Sequence, residues 1–135
     1  MRRLTIALSA CLLASLATGC TREGPAYAPK PADVAAVVEM TNTFGFSPET
    51  VRIPVGGTVE WRNTSIATHT VTVDPSRIRD PEHVALPAGA EPFSSGEIGS
   101  SQVWRHTFTV PGTYRYACLP HHDMFGMTGT VEVGP

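Results

Sequence analysis

Apolar and polar residues alternate with a period of two in several short segments of the chain. The alternation covers residues 51–55, 59–62, 69–73, 114–118 and 130–133. This period is typical of strands with one buried face, and the Gly-Gly and Pro-Gly pairs at 56–57 and 111–112 are typical of turns between strands. No window has the pattern of an amphipathic helix. The chain is therefore expected to be an all-β sandwich.

The segment 74–101 is the least regular part of the chain. It is rich in Pro, Gly and Ser and shows no sustained alternation. We expect it to form loops with room for one helical turn. No internal repeat is visible.

Composition narrows the classes of protein that fit. The chain has 135 residues with 12 glycines, 12 prolines and a formal net charge of -2. This length suits one domain, and the low, balanced charge argues against nucleic-acid binding. Three cysteines are too few for a disulfide-framework mini-protein. No apolar run is long enough for a membrane-spanning helix.

The first 19 residues have the layout of a secretory signal peptide. Arg2 and Arg3 precede an apolar stretch over 4–17, and small residues follow. The sequence Leu-Ala-Thr-Gly-Cys that ends at Cys20 resembles a bacterial lipobox, which implies lipid attachment to Cys20. An ordinary cleaved signal with a chance cysteine is the alternative. Residues 20–33 are then a Pro-rich tether, and residues 34–135 form the domain, exported to the periplasm or another extracytoplasmic space and anchored to a membrane.

Cysteine usage directs attention to one thiol. Cys11 would leave with the signal peptide and Cys20 would carry lipid, so Cys118 is the cysteine that remains in the folded domain. A lone thiol in an oxidising compartment is a liability unless it serves a purpose. Metal binding and catalysis are the two physical reasons for keeping it.

Soft and intermediate metal ligands accompany this thiol. His69 lies in one predicted turn region. The other region, 114–131, contains Cys118, His121, His122, Met124 and Met127. Thiolate, thioether and imidazole together suit copper, and a His₂Cys set with a weak axial Met is the blue-copper arrangement. The methionine argues against zinc.

The motif Tyr-x-Cys-x-Pro-His, followed by Met-x-Gly-x-Val-x-Val, resembles the copper loop of the cupredoxins, such as plastocyanin, pseudoazurin and amicyanin. Upstream matches are Phe46-Ser47-Pro48, Gly56-Gly57-Thr58-Val59, Trp61-Arg62-Asn63 and His69-Thr70-Val71. The resemblance implies an eight-stranded Greek-key β-sandwich with one type 1 copper ion at one end. It implies four ligands: His69, Cys118, His121 and Met127.

The chain departs from the family pattern in two ways. The Cys-x-Pro-His spacing favours His121, whereas the spacing from histidine to methionine favours His122. Met124 follows His121 by three residues, as in amicyanin, but the glycine and final strand after Met127 favour Met127. Thr70 stands where an asparagine often ties the ligand loops together, so Thr70 is expected to donate its backbone N–H toward the sulfur without the same side-chain bond.

The resemblance implies a one-electron carrier, monomeric and not an enzyme, with redox partners such as a cytochrome, an oxidase or a reductase. A copper-binding and delivery protein that uses the same ligands is the alternative. A hydrolase with Cys118 as nucleophile is a further possibility, but the sequence contains no oxyanion motif. A multicopper oxidase would need His-x-His pairs that the sequence does not contain.

Tyr114 and Tyr116 are expected beneath Cys118, and an apolar face around the second histidine is expected to dock partners. His83 and His106 lie outside the ligand motifs and are expected to be surface or hydrogen-bonded residues.

Overall fold

Two mixed β-sheets pack face to face in the computed structural model, which describes residues 29–135. The predicted signal peptide (1–19), the predicted lipidation of Cys20 and residues 20–28 of the predicted tether lie outside the described residues. Among residues 29–135, no helix has both the length and the apolar composition needed to cross a bilayer.

Nine strands form within residues 29–135. They are β1 (Ala36–Met40), β2 (Phe46–Ser47), β3 (Thr50–Pro54), β4 (Thr58–Asn63), β5 (Thr72–Val73), β6 (Phe93–Ser94), β7 (Val103–Thr107), β8 (Gly112–Ala117) and β9 (Thr128–Gly134). A 3₁₀ helix covers Pro81–His83, and one short α-helix, α1, covers His122–Phe125.

The strand order is β2-β1-β4-β7 in one sheet and β3-β9-β8-β5-β6 in the other. Strands β1 and β4 pair in parallel, as do β3 and β9. The remaining pairs are antiparallel, and the longest of them joins β8 to β9 from Gly112 to Ala117. Strands β8 and β9 therefore form a rigid pair on either side of the loop 118–127.

The core lies between the sheets and follows the predicted alternation. Val51 and Ile53 are buried on β3, while Arg52 between them is exposed. Trp61 and Tyr116 lie at the centre of the core, with their ring centroids 5.4 Å apart and nearly perpendicular. Gly129 packs directly on Tyr116, because a Cβ at this position would come within 2.5 Å of the tyrosine ring. A glycine is therefore required at position 129.

The all-β sandwich is confirmed, but nine strands replace the expected eight. Three of them (β2, β5 and β6) contain two residues each, which is too short for an alternating pattern to predict. The helical turn expected within 74–101 is the 3₁₀ helix. Strand structure predicted over 69–73 is limited to Thr72–Val73. His69 pairs with Ile98 only in an isolated bridge, and the backbone N–H groups of Thr70 and Val71 donate to side chains and not to a neighbouring strand. The four-residue α1 was not predicted.

Candidate metal centre

Three metal-ligating side chains meet at one end of the sandwich. The Nδ1 atom of His69 lies 3.6 Å from the Sγ atom of Cys118. The Nδ1 atom of His121 lies 3.3 Å from the same sulfur. His69 reaches this point from the loop between β4 and β5, while Cys118 and His121 lie on the loop between β8 and β9. Residues 49 positions apart in the chain thus form one compact donor set.

Cys118 directly follows β8 and is fully buried. Its backbone N–H donates to the carbonyl of Met127 at 3.0 Å, which extends the pairing of β8 and β9 to the base of the loop. Burial raises the pKa of the Cys118 thiol, and hydrogen bonds from Thr70 only partly offset this effect. The thiol is thus protonated at neutral pH without a metal, and a bound cation would have to replace that proton.

His69 is held as a neutral imidazole whose Nδ1 atom faces the sulfur. Its Nε2 atom lies 2.8 Å from the hydroxyl oxygen of Ser65. Because that hydroxyl donates its proton to the Oδ1 atom of Asn63, its oxygen is free to accept from the Nε2–H of His69. The Nδ1 lone pair then points at the donor set. Burial, with a smaller contribution from the neighbouring His121, lowers the pKa of His69 to about 4.

His121 forms the outer side of the donor set. Its backbone N–H donates to the carbonyl of Cys118 at 3.0 Å, and its ring lies 4.6 Å from the ring of Phe44. Burial lowers the pKa of His121, so this imidazole is also neutral at neutral pH. Phe44 in turn stacks on Phe125 at 4.3 Å.

His122 faces away from the sulfur. Its Nδ1 atom lies 3.0 Å from the Nδ1 atom of His83, on another side of the loop. The chain turns into α1 at His122, and successive residues of a helix point about 100° apart. The rings of the two adjacent histidines therefore contact different residues: His121 lies beside Cys118, and His122 lies beside His83.

The two candidate methionines also differ in position. Met127 is buried and belongs to the same core cluster as Cys118, whereas Met124 lies on α1 and is 80% exposed. Gly126 separates them by ending α1 in the left-handed conformation, with φ at 63°. The backbone then enters β9 with the Met127 side chain directed inward.

Thr70 ties the two ligand loops together twice. Its backbone N–H points at the Cys118 sulfur at 3.3 Å, as expected. Its hydroxyl accepts a hydrogen bond from the backbone N–H of Leu119 at 2.8 Å. Contrary to the expectation from the sequence, a threonine at this position therefore supplies a side-chain bond between the loops.

The donor set fits copper by its chemistry. A thiol and two neutral imidazoles lie within 4.8 Å of one another by their ligating atoms, and a buried thioether residue packs in the adjoining core. Soft sulfur donors with two imidazoles match the preference of copper, and a closed set of three strong ligands is the form that such sites take. His69, Cys118 and His121 could hold the ion, with Met127 beside them.

Sequence reasoning did not single out three contributors to the site. Ser65 orients His69, Asn63 orients Ser65, and Phe44 covers the ring of His121. In the sequence, Asn63 stands out only as part of the motif Trp61-Arg62-Asn63. Ser65 is close to His69 in the chain, but nothing in its residue type marks a hydrogen bond to the ring. Phe44 reaches His121 only through the tertiary fold.

Comparisons with known proteins agree with this chemistry. The model of a family described as copper binding proteins, plastocyanin/azurin family, matches residues 32–134. Amicyanin from Paracoccus denitrificans is 33% identical over 127 residues, which cover 88% of this chain and 88% of that protein. Plastocyanin from Nostoc punctiforme is 31% identical over 93 residues, with coverage of 67% and 65%.

Solved structures show the same similarity. The Cu(I) form of an amicyanin mutant superposes with a TM-score of 0.59 at 30% identity, covering 78% of this chain and 87% of that one. A copper-containing nitrite reductase from Thermus scotoductus superposes with a TM-score of 0.58 at 30% identity. That match covers 83% of this chain but 24% of the reductase, so the shared part is one portion of the larger enzyme.

Proposed function

The chain belongs to the plastocyanin/azurin family of copper-binding proteins, and from this membership we propose that it transfers single electrons through one type 1 copper ion held by His69, Cys118, His121 and Met127. The observation that carries the proposal is the position of two imidazole nitrogens at 3.3 and 3.6 Å from one buried thiol. When bound, copper supplies one-electron chemistry by alternating between Cu(I) and Cu(II).

The protein's contribution is to keep the ligands still. Ser65 holds the ring of His69, and Thr70 holds the sulfur of Cys118 through its backbone N–H. The loop that carries Cys118 begins and ends on the paired strands β8 and β9. Side chains fixed in this way move little when the charge at the site changes, so little reorganisation opposes electron transfer.

An apolar face around His121 supports the transfer of electrons to and from other proteins. Phe125 is 48% exposed and stacks on Phe44, whose ring lies next to His121, and Met124, on the same short helix as Phe125, is 80% exposed. Small apolar contacts of this kind suit partners that bind briefly and separate. The proposed partners are redox proteins, such as a cytochrome, an oxidase or a reductase, that meet this protein as a monomer.

We further propose that these partners lie outside the cytoplasmic membrane. The support is the residue pattern of 1–20, with a signal peptide followed by a lipobox-like sequence that ends at Cys20. Lipid at Cys20 would tether the domain to a membrane. Replacement Cys20→Ser should then move the protein from the membrane fraction to the soluble fraction, and retention in the membrane would contradict the anchor.

A copper-delivery protein could use the same ligands. Delivery requires that a partner's ligands reach the ion, yet Cys118 and His69 are both fully buried. This burial favours a resident ion over one that is handed on. Because the nitrite reductase match covers a small part of that enzyme, it gives no support to a catalytic role for this chain alone.

The optical spectrum of the copper-loaded protein tests the proposal. We expect an intense blue colour in the oxidised form, lost on reduction with ascorbate and absent in Cys118→Ser. His121→Ala should collapse the spectrum, while the matched variant His122→Ala should retain it, because His122 faces His83 rather than the sulfur. A blue His121→Ala protein, or a wild-type protein that is colourless with Cu(II) bound, would refute the ligand set.

A further inference from the structure

A second group of metal-ligating side chains lies beside the copper loop and takes no part in the donor set described above. The Nδ1 atoms of His83 and His122 are 3.0 Å apart. The Nδ1 atom of His122 also lies 3.1 Å from the Oδ1 atom of Asp123. The ligating atoms of all three residues lie within 4.8 Å of one another.

Two of these separations, from the Nδ1 atom of His122 to His83 and to Asp123, are close to those around a tetrahedral metal ion. Two ligands at about 2.0–2.1 Å from a zinc ion, at the tetrahedral angle, lie about 3.3 Å apart. The observed 3.0 and 3.1 Å differ from this by a few tenths of an ångström, which small side-chain rotations would supply. Two imidazoles and one carboxylate are a set that zinc accepts, with water as the fourth ligand.

The backbone already fixes both histidines. The backbone N–H of His122 donates to the carbonyl of Cys118 at 2.9 Å, next to the end of β8. The 3₁₀ helix that carries His83 is joined to β8, because Arg115 donates from its side chain to the carbonyl of Glu82 at 2.7 Å. Both imidazoles are thus positioned against the same strand, so binding an ion would order little additional chain.

Asp80 supplies an outer carboxylate. Its Oδ1 atom accepts from the backbone N–H of Glu82 at 2.9 Å, which fixes the carboxylate at the start of the 3₁₀ helix. Its Oδ2 atom lies 3.7 Å from the Nε2 atom of His83, which is too far for a hydrogen bond but close enough for one to form after a small rotation of the imidazole. Histidines that bind metals through one nitrogen usually present the other to a carboxylate.

The site is also accessible to ions from solution. The side chain of Asp123 is 51% exposed and that of His83 is 27% exposed, while His122 lies beneath them at 5%. An ion could therefore approach from solvent and keep a water molecule, with the buried His122 at the base of the site.

We propose that His83, His122 and Asp123 form a second metal site that binds a divalent cation of intermediate softness, with zinc as the probe, and that Asp80 orients His83 within it. Such an ion would join the 3₁₀ helix of the irregular segment to α1, directly after the proposed copper ligand His121. The site is separate from the copper centre and does not depend on the function proposed above.

Zinc binding to the full-length, copper-loaded protein tests this site. Protein mixed with excess zinc sulfate and then desalted should retain about one zinc ion per chain by elemental analysis, with its blue absorbance unchanged. His83→Gln should lower zinc affinity by more than about 100-fold, and Asp80→Asn by about 10–100-fold, the range for an outer-shell partner. Glu82→Gln is the matched control, since this exposed residue lies in the same 3₁₀ helix outside the donor set, and it should bind like the wild type.

Asp123→Asn provides a second ligand variant on an exposed side chain, and its zinc affinity should also fall. Cys118→Ser separates this proposal from the copper assignment, because it removes the thiol and should still retain zinc. A wild-type protein that retains no zinc would show that the two imidazoles share only a hydrogen bond. Zinc bound equally by His83→Gln, or zinc uptake that bleaches the blue colour, would place the ion elsewhere and overturn the proposal.

Discussion

The hydrogen bond from Ser65 to His69 offers a sharp test of how the protein prepares its metal ligands. Ser65 is 1% exposed, and its hydroxyl oxygen lies 2.8 Å from the Nε2 atom of His69. Replacement Ser65→Ala removes this partner and leaves a buried N–H with nothing to accept its proton. The ring also becomes free to rotate or to change tautomer, which would turn the Nδ1 lone pair away from Cys118.

The size of the effect follows from the geometry. Loss of an outer-shell partner typically costs about 10–100-fold in metal affinity. At about 1.4 kcal/mol for each factor of ten, this is about 1.4–2.8 kcal/mol of copper-binding free energy. The unsatisfied buried donor also lowers the free energy of unfolding by about 1–3 kcal/mol, with or without copper.

Copper affinity measured by competition with a chelator of known affinity is the assay. Ser47→Ala is the matched control, because Ser47 lies on β2 with an exposed side chain and should leave the affinity unchanged. Circular dichroism would establish that both variants keep the sandwich. If Ser65→Ala bound copper as tightly as the wild type, the idea that this hydroxyl orients His69 would be refuted.

Three further predictions concern the loops, the axial position and the outer face of β4. Thr70→Val should lower the free energy of unfolding, measured with urea, by about 1–2 kcal/mol, because the backbone N–H of Leu119 loses its acceptor. The control Thr113→Val, at an exposed position of β8, should change this free energy by less than about 0.5 kcal/mol. Equal effects of the two substitutions would contradict the role of Thr70. Met127→Leu should raise the reduction potential measured by voltammetry, since a weak electron-donating ligand is lost, and Met124→Leu should leave it unchanged; the reverse result would make Met124 the axial ligand. Burial raises the pKa of Glu60, but hydrogen bonds and ion pairs with two arginines outweigh burial and hold that pKa below 4.5. The stabilisation from Glu60 is therefore present above pH 4.5 and is lost as the pH falls through the lower folded-state pKa. Glu60→Gln should remove this part of the slope of unfolding free energy against pH, and an unchanged slope would contradict the role of Glu60.

Strands with an alternating pattern could be predicted from the sequence because burial on one face of a sheet repeats every second residue. Strands β4 and β9 contain the segments predicted over 59–62 and 130–133, and β3 and β8 contain all but the last residue of those predicted over 51–55 and 114–118. The two-residue strands could not be predicted, since they form only where a neighbouring strand offers hydrogen bonds. The pairing of His69 likewise depends on a neighbouring segment: this residue forms a bridge to Ile98 and does not belong to the longer strand expected over 69–73.

Donor chemistry could be predicted from residue types, because thiol, imidazole and thioether groups within two short segments leave few alternatives to a metal. The distinction between His121 and His122 could not, since the two are adjacent and identical in type. The direction of each ring depends on where α1 begins, and a helix of four residues is too short to leave a periodic pattern.

Contacts between distant segments lie furthest from what a sequence can indicate. His83 was expected to be a surface or hydrogen-bonded residue, and its contact with His122 spans 39 positions. The prediction that Tyr116 packs in the core with Cys118 is confirmed by the full burial of both residues in one core cluster, because both share one face of β8 and its extension. Alternation on one strand thus gave a correct neighbour, whereas packing between loops required the fold.

Crystals of the protein grown with a cupric salt would show the copper ligands themselves. We expect one copper ion bonded to the Sγ atom of Cys118 and to the Nδ1 atoms of His69 and His121, with the thioether of Met127 facing the ion. An ion bound away from Cys118, or bound to that sulfur with His69 turned aside, would contradict this expectation.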